Sequence, residues 1–183
     1  MLKSICVYCG SSLGHSKKHR KAARLLAQEL VKNNIQLIYG GGKVGLMGVL
    51  ANEVMQLGGK AIGIIPRDLL DKEKGHGDLT HLHVVNHMHE RKALMAKLSD
   101  GFIAMSGGIG TLEELLEIMT WAQLQFHKKP IGILNINGFY DTFIQLLHML
   151  VIEGFLSEKH LQLFTVHNDP QELLQQIQAR FRQ

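Results

Sequence analysis

Short apolar runs alternate with longer amphipathic stretches along the whole chain. The apolar runs cover residues 4–9, 36–39, 61–65, 82–85, 101–105 and 131–134, with a shorter one at 163–166. Between them, apolar residues recur at helical spacing over about 17–33, 46–57, 88–98, 111–125 and 140–153. A last helix begins at Pro170, with Asp169 placed to accept from its free amides. Strands that are apolar throughout predict a sheet covered on both faces, and a helix between each strand and the next predicts parallel pairing. Right-handed crossovers then distribute the helices to both sides. The expected fold is α/β, a Rossmann-like open parallel sheet with helices on both faces, in one domain over residues 1–183. The longest stretch without a pattern, 67–80, is expected to form a rim or lid.

In such a sheet, ligands bind beyond the carboxyl ends of the strands. The chain puts its small residues there: Cys9-Gly10-Ser11-Ser12 after the first strand, Tyr39-Gly40-Gly41-Gly42-Lys43-Val44-Gly45 after the second, and Ser106-Gly107-Gly108-Ile109-Gly110-Thr111 after the fifth. Ser12, Gly41 and Gly42 are therefore candidate contacts, as is the third loop. That loop opens a helix whose free amides and dipole attract an anion. Thr111 is the expected N-cap and a phosphate ligand, followed by Leu112, Glu113 and Glu114 in what reads as the first turn. Gly40–Gly45 also fits the spacing of a dinucleotide fingerprint, but close packing of helix on strand accounts for it equally well. A nicotinamide-dependent oxidoreductase built on it would leave the third loop unexplained.

Composition narrows the reading. Hydrophobic residues make up 45% and charged residues 20%, and no apolar run is long enough to span a bilayer, so a cytoplasmic location without membrane attachment is expected. The formal charge of +4 includes one dense cluster, Lys17, Lys18, His19, Arg20 and Lys21. No aromatic residues interleave it, so it reads as a solvated surface rather than a nucleic-acid patch. Cys6 and Cys9 form a C-x-x-C inside a strand, where odd spacing sends the thiols to opposite faces, and they can neither bridge nor share zinc. His81, His83, His87 and His89 match no strong ligand spacing, so no metal and no cofactor is expected. Arg91 and Lys92, expected in the first turn of their helix, oppose its dipole. Arg91 could clamp an anion or orient a carboxylate; it could equally be a surface arginine.

Gly-Gly-x-Gly-Thr-x-x-Glu at 107–114, with Met-His-x-Arg-Lys at 88–92, closely resembles the LOG family, the cytokinin riboside 5′-monophosphate phosphoribohydrolases often mislabelled lysine decarboxylases. The resemblance runs from Cys6-Val7-Tyr8-Cys9-Gly10-Ser11-Ser12 through Gly45-Leu46-Met47-Gly48 and Ala61-Ile62-Gly63-Ile64-Ile65-Pro66. It continues in Thr120-Trp121-Ala122-Gln123-Leu124, Lys129-Pro130-Ile131-Gly132 and Gly154-Phe155. It implies hydrolysis of a nucleoside 5′-monophosphate, AMP or N6-substituted AMP, to free base and ribose 5-phosphate. It also implies a homodimer or larger homo-oligomer. Carried over, Arg91 and Glu114 form the catalytic pair. Asp68, Lys92, Thr120 and residues 108–114 contact the nucleotide. Three positions depart from the family pattern: Ser106 for proline, Lys43 for serine and Ile109 for a frequent tyrosine. They leave Arg91, Thr111 and Glu114 intact and bear on the preferred base. A non-catalytic nucleotide-binding or sensing protein of the same fold is the alternative, and it would have no need of Arg91 paired with Glu114.

Overall fold

The computed structural model describes residues 2–70 and 75–182. Seven parallel strands form one sheet in the order β4-β3-β2-β1-β5-β6-β7. They are β1 (Ser4–Tyr8), β2 (Gln36–Tyr39), β3 (Ala61–Pro66), β4 (His81–Val85), β5 (Gly101–Ala104), β6 (Ile131–Leu134) and β7 (Phe164–His167). The helices are α1 (Lys17–Lys32), α2 (Gly45–Gln56), α3 (Met88–Leu98), α4 (Ile109–Gln123), α5 (Asp141–Ile152) and α6 (Pro170–Phe181). The expected architecture is the observed one.

The two faces carry separate cores. Ile5 and Val7 of β1 point with Ile103 and Met105 toward α1, α2 and α6, meeting Leu26, Leu50 and Leu173. Cys6 and Tyr8 point with Phe102 and Ala104 toward α3, α4 and α5, meeting Met95, Leu115 and Leu147. Every residue of β1 and β5 is buried, which is why these strands are apolar without alternation. Cys6, in β1, and Cys9, directly after it, are free, buried and in different cores. Asp169 caps α6 by accepting from the amides of Gln171 and Glu172, a cap worth about 1 kcal/mol.

One helix start differs from the expectation. α4 begins at Ile109 with Gly108 at the N-cap, so Thr111 stands inside the first turn and is not the cap. Glu113 and Glu114 accordingly fall in the second turn. α3 begins at Met88 as expected, and the acidic Glu90 precedes Arg91 and Lys92 at its start. There the His87 ring accepts from the Glu90 amide, and the Glu90 carboxylate accepts from the Asn86 amide, a reciprocal cap that offsets the nearby cations.

Residues 71–74 of the expected rim lie outside the described residues. Of the remainder, Arg67–Leu69 form one turn of 3-10 helix, Gly75 bridges to Gly42, and the buried His76 bonds Asn52 of α2 at 2.9 Å. Among the described residues no helix is long and apolar enough to cross a membrane.

Candidate active site

Strand order reverses between β1 and β5, so the loops that follow them part and leave a crevice. A cavity of about 330 Å³ opens there, walled by Gly10 and Ser11, Gly40, Arg91 of α3, and the first turns of α4. Arg91 is 6% exposed. Its Nε donates to the Ile64 carbonyl at 3.2 Å and its Nη2 to the Gly40 carbonyl at 3.3 Å. Those two acceptors, one inside β3 and one directly after β2, fix the guanidinium plane. A side chain at position 40 would overlap Arg91 Nη2, so this glycine of the triple-glycine loop makes room for the arginine.

Nη1 of Arg91 lies 4.0 Å from Oε1 of Glu114, and both side chains are largely buried. An ion pair this enclosed has lost much of its water, so the remaining face of each group is available for strong interaction with a ligand. Glu114 also makes its field felt on Cys6, Cys9 and Tyr8. Burial first, and the Glu114 charge second, push both thiols far above the ordinary cysteine range. Tyr8 is raised by burial, then by Cys6 and Glu114. None of the three can supply a nucleophilic anion, which leaves the carboxylate and the guanidinium as the charged machinery.

Thr111 is buried at 5% and lines the same cavity as Gly108, Ile109 and Gly110. Residues 109–111 open α4, where backbone amides have no partner further back in the helix. Gly107 is tightly enclosed: a Cβ would overlap Thr111 Oγ1. Positions 108 and 110 have open space where a side chain would be. Ile109 is 87% exposed at the rim, with Met88 and Leu69 also in the lining.

The structure thus brings Arg91, Glu114, Gly108, Ile109, Gly110, Thr111 and Glu113 to one cavity. Other expected contacts are elsewhere. Lys92 turns to Glu113 at 2.7 Å and Glu117 at 2.9 Å, joining α3 to α4; burial works to lower its pKa, but these two carboxylates prevail and raise it. Thr120 is exposed and donates to the Leu116 carbonyl, a turn and a half farther along α4. Asp68 is exposed, and its neighbour Leu69 reaches the cavity in its place. Leu112 packs into the α3–α4 core. Gly41 and Gly42 lie behind Gly40, and Ser12 and Gly107 line an adjoining cavity. The last glycine of the fingerprint serves packing, as does Gly48 beyond it: side chains at 45 and 48 would overlap the carbonyls of Ser11 and Lys43. Sequence reasoning missed Tyr8, Met47 and Met95, which line the floor. Their apolar character marks them only as core.

A protein family described as possible lysine decarboxylase matches residues 47–177. Over 177 residues the chain is 46% identical to cytokinin riboside 5′-monophosphate phosphoribohydrolase LOG5 of Arabidopsis thaliana, covering 97% of this chain and 78% of that protein. The chain belongs to the LOG family. It is also 50% identical over 156 residues to the LOG enzyme of Oryza sativa subsp. japonica, covering 85% of this chain and 64% of that longer protein. The molybdenum cofactor carrier protein of Chlamydomonas reinhardtii superposes with a TM-score of 0.71 at 19% identity, over 98% of this chain and 99% of that one. The molybdenum cofactor binding protein of Rippkaea orientalis gives 0.71 at 20% identity, over 98% and 97%. At these identities the likeness is one of fold alone.

Proposed function

We propose that this chain hydrolyses the N-glycosidic bond of a nucleoside 5′-monophosphate, AMP or an N6-substituted AMP, to free base and ribose 5-phosphate. The observation that carries this reading is the enclosed Arg91–Glu114 pair beside the open amides of α4, in one cavity. The relatives named as phosphoribohydrolases support it.

Cleavage of such a bond develops positive charge on the anomeric carbon and ring oxygen. The site must anchor the phosphate, stabilise that charge and deliver water. Residues 108–111 hold the 5′-phosphate through backbone amides and the Thr111 hydroxyl, so its binding energy fixes the ribose. The Glu114 carboxylate lies against the ribose, stabilises the cation and accepts a proton from the attacking water. Water oxygen joins the anomeric carbon as the bond to the base nitrogen breaks, and the departing base takes up a proton. Arg91, locked by Ile64 and Gly40, holds Glu114 aimed at the ribose. Lys92 neutralises Glu113 at the rim, acting beside the ligand rather than on it. Ile109 and Met88 offer the base an apolar surface.

Lysine decarboxylation fits this cavity poorly. Such chemistry needs a lysine amine in the site for a Schiff base, and among the described residues no lysine lines it.

The reading includes a homodimer or larger homo-oligomer. Leu146, Met149, Ile152 and Phe155 recur along α5 and the turn after it and are 54%, 54%, 80% and 81% exposed, an apolar stripe suited to burial against a second copy.

Glu114→Gln decides the catalytic assignment. Release of adenine from AMP should fall by about a thousandfold or more, with AMP affinity kept within a few-fold. Chromatography of the products and calorimetric titration measure the two. Near-normal turnover by the variant would refute the assignment.

A further inference from the structure

Arg91 leans on a loop that has little stiffness of its own. Its Nη2 donates to the Gly40 carbonyl, and Gly40 opens a run of three glycines, the residue with the widest backbone freedom. Gly41 has a φ of 79°, a region that glycine enters readily and leaves as readily. A guanidinium fixed against such a carbonyl needs the loop to be held from outside.

The rim segment that starts at Gly75 supplies the hold. Gly75 forms an antiparallel bridge with Gly42, and the His76 amide donates to the Gly41 carbonyl at 3.0 Å. The His76 ring, in a residue only 1% exposed, ties this segment to α2. Its Nδ1 accepts from the Asp78 amide at 3.3 Å, so that nitrogen carries no proton. The neutral ring therefore bears its proton on Nε2, which donates to Asn52 Oδ1 at 2.9 Å. Burial first and the Lys43 charge second lower the His76 pKa, against an opposing pull from Asp78, and the ring is neutral at pH 7. Both ring nitrogens are in use, and the same residue's backbone grips Gly41. Contacts thus run from Asn52 through His76, Gly41 and Gly40 to Arg91 and Glu114. Of these, Asn52, His76 and Gly41 stand outside the cavity.

We propose, resting on the catalytic reading of Arg91 and Glu114, that His76 is a positioning residue for the reaction: it clamps the triple-glycine loop to α2 and so keeps the Gly40 carbonyl where Arg91 needs it. It touches neither the ligand nor the reacting atoms.

The test is adenine release from AMP by the wild type, His76→Phe, His76→Gln and Asn52→Ala, with AMP affinity measured by calorimetry. His76→Phe keeps the bulk of the ring and removes both of its bonds. Its kcat should fall by about tenfold, while KM and AMP affinity stay within about twofold. His76→Gln puts an amide nitrogen where Nε2 stood, keeps the bond to Asn52, and should recover kcat to within about threefold of wild type. Asn52→Ala, an exposed change that serves even if the phenylalanine variant folds poorly, should cost about threefold. Added to Gly40→Ala, His76→Phe should cost no more than about a further twofold, because both act on one carbonyl. A full further tenfold loss, a raised KM with kcat unchanged, or kcat within about twofold of wild type in His76→Phe overturns the assignment, as does an unchanged kcat in Asn52→Ala. Arg91 gives a readout that needs no turnover: in isotope-labelled protein the NMR signal of its Nε–H, set by the bond to Ile64, should shift in His76→Phe. If the wild type binds AMP but releases no adenine, the hydrolase reading falls. A shifted Arg91 signal then upholds the clamp, and an unshifted one overturns it.

Discussion

Arg91 shows how much a single residue can depend on its surroundings. From the sequence it was equally a surface cation or a clamp, because nothing local says which way the side chain goes. The structure buries it between β2 and β3 carbonyls and the Glu114 carboxylate. The signal that could have settled the matter lies fifty-one positions away, in Gly40, whose missing side chain is the space Arg91 occupies. Gly40→Ala should therefore displace the guanidinium while leaving the fold in place. An expected fall in kcat of about a hundredfold, with an unchanged far-ultraviolet circular dichroism spectrum, follows from misplacing a catalytic group by about an ångström. Activity within twofold of wild type would mean that Arg91 is not held where the chemistry needs it.

Strands and helices were legible because burial on both faces leaves a signature that no other arrangement shares. The start of α4 was not. Gly-Gly-Ile-Gly reads as loop on propensity, since glycine costs a helix about 1 kcal/mol relative to alanine. Yet Ile109 and Gly110 are already helical, and this moves Thr111 from the cap into the first turn. Lys92 was misplaced for another reason. Its carboxylate partners lie on a different helix, and spacing within α3 cannot reveal them. That contact predicts a stability effect. Glu113 and Glu117 stand one helical turn apart, and without the ammonium between them they repel. Lys92→Met should lower stability by about 1–2 kcal/mol, the half-exposed Glu113 keeping the value at the low end. Thermal unfolding measures it, and Glu117→Gln added to Lys92→Met should recover part of the loss.

Across the whole molecule, the cavity holding Arg91 and Glu114 opens where the loops after β1, β2 and β5 meet, and the apolar surface that could join two copies runs along α5. Ile152 and Phe155 are its most exposed members. Ile152→Asp with Phe155→Asp should convert an oligomer to a monomer in light scattering, with the melting profile of the monomer still cooperative. A wild-type protein that is monomeric at micromolar concentration would remove the oligomer from the reading.

The paired cysteines at the centre of the sheet give the folded chain an unexpected property. Cys9 lines the active-site cavity, but the Cys6 sulfur is sealed in its hydrophobic layer and kept protonated, so a thiol-specific reagent such as Ellman's compound should leave it unmodified in the native state. In a Cys9→Ala variant, colour develops only as fast as the central strand is laid bare, which makes this one atom an intrinsic stopwatch for global opening, readable without any label.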